Sequence, residues 1–334
     1  MDPADIFRVG LSIGVPLISG VVVFLAFWPK EDGAAPPRWL VPAFLGPIFV
    51  LAFGSLFGVP RPLLPPGEAF GWLPWIALAA SLLGLVSVAA RGRAWIRWSL
   101  RAVMAVAAGY VSSRGLMHSP SAPWSAFESV LTLGAFAACV LIAFGTLGPS
   151  IPDRSGWEGV AILTLLVSGL GVMLLLVFSN AKQAMAVGVM AAALGGMAIA
   201  AIWRPRLSLG PGALHVPIMV SGTSLLQAYL LGDATRRDRA YLGLAAAAPI
   251  LAGLGAAPAI RDIKGWKGLM IRLAIPYLPI AAALEWFAFD LTRDGGVEAR
   301  DLPVLVGLPL APLAAALVLA GVKAIWGGGL DPVD

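Results

Sequence analysis

Eleven times along the chain, about 20 residues pass with few charges before a short polar or proline-containing link. The runs cover 9–28, 39–58, 70–90, 96–117, 126–147, 157–179, 183–203, 213–231, 240–260, 269–291 and 302–326. A helix that crosses a ~30 Å hydrocarbon layer needs about 20 mostly apolar residues, so each run has the length of a membrane span. Strands of a membrane barrel are excluded, because the runs are continuously apolar instead of alternating and are about twice the length a tilted strand needs. Composition agrees. The chain of 334 residues is 59% hydrophobic and 12% charged with mean hydropathy +0.87, more apolar than one soluble core can absorb. The expectation is therefore an all-α, polytopic integral membrane helical bundle of about 11 transmembrane helices in a single membrane domain, 1–334. The fourth run is the weakest, since only twelve uncharged residues separate Arg101 from Arg114, and both arginines must reach opposite interfaces. The first run follows an acidic leader with Asp2 and Asp5 and is too long for a signal-peptide core, so it reads as an uncleaved span.

A second pattern lies on top of the first. The segment 149–159, PSIPDRSGWEG, returns 109 residues later at 258–268 as PAIRDIKGWKG, identical at six of eleven positions without a gap. Each copy is a polar elbow between two apolar runs, with Trp157 or Trp266 opening the second run. A weaker relative, Pro37-Arg38-Trp39, opens the second run of the chain. The seventh and eleventh runs also match, at eight of 19 positions from Ala191 and Ala314, and Arg91-Gly92-Arg93 closes the third run as Arg204-Pro205-Arg206 closes the seventh. Together these matches predict tandem four-helix repeats with units 1–92, 93–207 and 208–334, the first lacking its opening helix. In membranes such repeats place sites at the interface between copies.

Charge sets the expected orientation. Links after odd-numbered runs, with the C-terminus, carry 14 Lys and Arg against 9 on the other side. The positive-inside rule then gives a cell-membrane protein with the N-terminus outside, the C-terminus cytoplasmic and both elbows on the cytoplasmic face. The net charge of +5 fits basic links held at anionic headgroups and not a nucleic-acid partner. The expected partners are the lipid bilayer and other membrane subunits.

Few residues suggest chemistry. One cysteine, Cys139, rules out an internal disulfide, and His118 and His215 have no carboxylate at ligand spacing, so no metal or other cofactor is expected. Phosphate loops, metalloprotease helices and nucleophile elbows are absent from the sequence. The tenth run is the most unusual, combining Arg272, Pro276, Pro279, Glu285 and Asp290. An ionisable group inside the apolar layer costs roughly 2.5–3.5 kcal/mol and usually faces protein or water. Proline removes a backbone donor and frees a carbonyl that can line a cavity. Glu285, Arg272, Pro276 and Pro279 are therefore pathway candidates, joined by Gln227 late in the eighth run, whose amide can also bond between helices. Arg91, Arg93, Arg97 and Arg101, interleaved with Trp95 and Trp98, read as headgroup anchors for the fourth run, and Trp157 and Trp266 as anchors at the elbows. Glu128 reads as a helix-start cap. Three classes of function follow: transport or permeation of a small solute or ion as the first, an accessory subunit of a larger membrane complex as the alternative, and an enzyme acting on a lipid as the third.

Overall fold

The computed structural model describes residues 3–26, 39–57, 66–90, 92–118, 124–151, 157–203, 209–210, 212–231, 236–254, 257, 260, 262–263, 265–293, 307, 310–318 and 320–321. All regular structure among them is helical. The principal helices are α1 (Pro3–Ala26), α2 (Leu40–Phe57), α3 (Leu73–Ala89) with a 3₁₀ turn before it (Ala69–Trp72), α4 (Ala94–Met117), α5 (Ala126–Ser150), α6 (Trp157–Leu176), α7 (Ala181–Trp203), α8 (His215–Leu231), α9 (Arg236–Leu254) and α10 (Gly265–Arg293). Each falls on one apolar run of the sequence. Of the last run, 302–326, residues 310–318 are described and are helical. Six helical stretches are long and apolar enough to cross a membrane: Leu40–Phe57, Ala69–Ala89, Ala126–Pro149, Glu158–Leu176, Ala181–Ile202 and Lys267–Arg293. The apolar parts of α1 and α9 are shorter, Ile13–Ala26 and Ala240–Leu254, and α8 has 17 residues.

Side-chain contacts fix the sense in which the helices run. Ser87 near the end of α3, Arg101 near the start of α4, Phe144 late in α5 and His215 at the start of α8 meet at one end of the bundle. The 3₁₀ turn, the end of α4 and the α6–α7 link meet at the other. Successive helices from α3 to α8 therefore alternate in direction. At the first end, which is also the end of the elbows, Arg272 of α10 donates from Nε to Glu158 of α6 at 2.7 Å and from Nη1 to the carbonyl of Ile263 at 2.9 Å. One guanidinium thus ties the first elbow's helix to the second elbow. A glycine follows each elbow for a steric reason. A Cβ on Gly159 would stand 2.8 Å from the Ile151 carbonyl oxygen, and one on Gly268 would collide with that of Ile263.

Packing between helices relies on close backbone approach, the kind of contact that small residues provide in membrane helix bundles. At the α1–α7 crossing a Cβ on Gly20 would lie 2.5 Å from the Ala193 carbonyl, and a Cβ on Gly196 would run into the Leu17 backbone. Every sequential pair of these helices packs together except α5 and α6, which have no substantial contact. Helix α8 is the centre: it packs against α2 to α7, the 3₁₀ turn and α9.

Candidate functional site

A central helix in an apolar bundle should be apolar on every face. Helix α8 is not, since His215, Ser221, Thr223, Ser224 and Gln227 are all buried on it. The site is built around these side chains, from one end of α8 to the other.

At the end away from the elbows, the 3₁₀ turn, the last turns of α4 and the α6–α7 link enclose a vestibule of about 950 Å³. The link is short because Ser179 adopts a positive φ of 49° and Asn180 caps α7, its Oδ1 accepting from the Gln183 amide at 3.4 Å. This geometry sets Lys182 and Gln183 in the wall opposite Glu68, Arg114 and His118. Glu68, Arg114, His118 and Lys182 are solvent-exposed, whereas Gln183 is buried and its Oε1 has no hydrogen-bond partner.

Gln227 is bonded to the vestibule wall. Its Nε2 donates to the Ala69 carbonyl at 2.8 Å and to Ser112 Oγ at 3.2 Å, both on the vestibule wall, while its Oε1 is unpartnered. One turn deeper, Thr223 and Ser224 are fully buried and their hydroxyls also lack partners. Thr223 and Gln227 share a face at i, i+4. An unsatisfied buried polar group costs about 1–3 kcal/mol, so natural structures keep few of them. Three such atoms lie within four residues of α8, Thr223 Oγ1, Ser224 Oγ and Gln227 Oε1, and a fourth is Gln183 Oε1 in the vestibule wall.

The elbow end of α8 is closed by a second polar cluster. His215 is fully buried, and its Nδ1 lies 3.0 Å from the Gly212 carbonyl, which only an N–H can satisfy. Since Arg101 Nε–H donates to Nε2, that nitrogen is an acceptor and the ring carries its proton on Nδ1. Nε2 faces Ser87 Oγ at 3.1 Å and Arg101 Nε at 3.4 Å. The Arg101 guanidinium lies over the rings of Phe144 at 4.6 Å and Trp98 at 5.2 Å. Among the described residues no carboxylate pairs with it. Twelve residues of helix, about 18 Å, separate Gln227 from His215.

The residues singled out in the sequence scatter. Gln227 joins the polar core. Arg272 does not: it belongs to the elbow tie with Glu158. Pro276 and Pro279 are buried within a continuous α10, beside Tyr277 and Ile280, which pack on Gly169 of α6; neither proline lines the vestibule. Glu285 is exposed on the outer face of α10 with Trp286 and Phe289, and it does not line the vestibule. Asp290 accepts from the Tyr241 hydroxyl at 3.0 Å. Of the anchor set, Arg93 and Trp95 are exposed at the start of α4 and Trp98 is half-exposed, whereas Arg97 has a buried Nε without a partner and Arg101 is buried in the His215 cluster. Arg91 and the side chains of Trp157 and Trp266 lie outside the described residues. Glu128 forms a reciprocal capping box with Ser125 at the start of α5. Ser87, Ser112, Thr223 and Ser224 escaped sequence reasoning, and His215 was weighed there only as a metal ligand; the signal available was five hydroxyl or amide residues and a histidine within a single uncharged 17-residue helix.

No known protein family matches this chain, and no curated protein does.

Proposed function

We propose that this chain is an integral protein of the cell membrane with about eleven spans and that it passes a small polar solute or ion along α8. In this reading the vestibule faces outside, Gln227 is the outer plug and the Arg101–His215–Ser87 cluster the inner one, both closed in the conformation described. The observation that carries it is the set of unpartnered buried oxygens on α8, where Gln227 bonds two residues of the vestibule wall, with a further one on Gln183 in that wall. Leucine, valine or alanine there would spare the bundle the desolvation cost, and the polar atoms are accounted for if water or solute replaces the missing partners in an open state. Neutral oxygens suit either a small hydrogen-bonding solute or a partly dehydrated cation. Tandem four-helix units stay part of the proposal, supported by the elbow repeat, by a close-packed glycine after each elbow and by the Arg272 tie between the copies.

The test is flux into proteoliposomes, by light scattering for glycerol and urea and by indicator dyes for potassium and chloride. Wild type is expected to pass at least one of these. Gln227→Leu, close in volume but without an amide, is expected to lower that flux at least about tenfold, an effect of ~1.4 kcal/mol on the barrier, with the folded monomer unchanged. Flux equal in both proteins would remove α8 from the path.

An accessory-subunit reading has one specific observation in its favour, the carboxylate of Glu285 on the outer face of α10, where a partner subunit could neutralise it. That reading expects no flux of any of the four probes in either protein.

A further inference from the structure

Arg101 is 7% exposed, and among the described residues only its Nε finds an acceptor, His215 Nε2 at 3.4 Å. The rings of Phe144 and Trp98, at 4.6 and 5.2 Å, attract the charge but offer no oxygen to the donors on its two terminal nitrogens. One turn nearer the elbow end, on the same face of α4, Arg97 keeps a buried Nε that also has no partner. Residues four apart on a helix stand roughly 5–6 Å apart at Cβ, and two like charges so placed repel. Arg93, exposed at the start of α4, adds a third cation. No acid on the neighbouring elements offsets them. Helix α4 packs against α3, α5, α8 and the 3₁₀ turn, and the one carboxylate within these is Glu128, which caps the start of α5 at the vestibule end.

Buried charges in native structures are paired and hydrogen-bonded. An arginine fork presents parallel N–H donors that match the oxygens of an anion. Geometry selects among anions, because the free donors belong to two guanidiniums at different heights along one helix. A carboxylate has two oxygens in one plane and fills one fork, whereas the tetrahedral oxygens of a phosphate accept from both. We propose that Arg97 and Arg101 together bind a phosphate group at the elbow end of α4. Helical side chains lean toward the helix N-terminus, which for α4 is the elbow end, and half-exposed Trp98 borders the way in. His215, with Ser87 at 3.1 Å from its Nε2, holds Arg101 from below and leaves the terminal nitrogens to the ligand. Two sources offer this chemistry, a phospholipid headgroup in the surrounding leaflet and inorganic phosphate in solution. The site is independent of solute passage along α8.

The full chain, delipidated in neutral detergent, is titrated with inorganic phosphate in a calorimeter. In parallel it is incubated with dioleoyl phosphatidic acid or with oleic acid, and bound lipid is counted by native mass spectrometry. One phosphate ligand per chain is expected, with phosphatidic acid at least about tenfold tighter than the carboxylate. Binding of the lipid alone assigns the leaflet as source, and binding of inorganic phosphate assigns the solution; either supports the site. Arg97→Gln is expected to weaken binding at least about tenfold while the unfolding midpoint without ligand stays unchanged. Arg101→Lys, which keeps the charge and loses the fork, is expected to weaken it similarly. Arg293→Gln, at an exposed position in the last turn of α10, is expected to bind as wild type does. Gln227→Leu is expected to do the same even if it blocks flux, which separates this proposal from the transport reading. Binding of neither phosphate ligand, oleic acid as tight as phosphatidic acid, or wild-type affinity in both Arg97→Gln and Arg101→Lys would overturn it.

Discussion

Gly196→Leu is expected to prevent stable folding, costing about 3 kcal/mol or more. The reason is that the atoms in the way belong to a backbone. A Cβ at this position runs into the carbonyl, carbonyl carbon and Cα of Leu17, and the reciprocal glycine, Gly20, is itself blocked by the Ala193 carbonyl. A clash with a flexible side chain is relieved by a rotamer change, whereas here α1 must move away from α7 along the whole crossing. Since α7 also carries α6 and touches α8, the movement spreads into the centre of the bundle. Size-exclusion profiles and thermal unfolding in detergent read the effect. Gly134→Leu on the exposed face of α5, where a Cβ meets nothing within 4 Å, is expected to leave both unchanged.

The second large effect concerns the elbow tie. Arg272 and Glu158 are 14% and 13% exposed, so each charge is mostly desolvated, and they are bonded to one another. Removing one partner of a buried pair costs about 3–5 kcal/mol, most of it from the charge left behind. Glu158→Leu is expected near the low end, because Arg272 keeps the Ile263 carbonyl as an acceptor. Arg272→Leu strips both the carboxylate of Glu158 and that carbonyl of the same guanidinium and is expected to cost more. The double substitution to leucine is expected to be milder than Arg272→Leu alone, since no unpaired charge remains. A double-mutant cycle on unfolding midpoints measures this coupling, and additive single effects would show that the tie between elbows carries no energy of its own.

The helices were legible in the sequence because apolar run length is a direct consequence of the layer they fit. The tie between Glu158 and Arg272 was not legible: they are 114 residues apart and only Arg272 stood out, for a different role. Glu285 attracted attention because a carboxylate in an apolar run is conspicuous, yet conspicuousness says nothing of which face a helix turns inward. Its neighbours Trp286 and Phe289 point outward with it. The polar core escaped for the converse reason. Serine and threonine barely disturb hydropathy, so α8 reads as one more apolar run until its packing shows it surrounded on all sides. Arg101 followed the same logic, since its spacing matched an interfacial anchor, and only the positions of His215 and Phe144, over 110 and 40 residues away, reveal a buried cluster.

The central claim is that α8 lines a path entered from the vestibule, and thiol accessibility tests it most directly. In a Cys139→Ser background, single cysteines replace Gln227, Ser224, Thr223 and, as a control, the fully buried Ala228. Reconstituted vesicles are treated from either side with a charged, membrane-impermeant thiol reagent. The account predicts reaction at Gln227, slower reaction at Ser224 and Thr223, all from the vestibule side, and none at Ala228. If the three positions are as inert as Ala228 from both sides, or react only from the elbow side, α8 is not an outward-opening path and the transport reading fails.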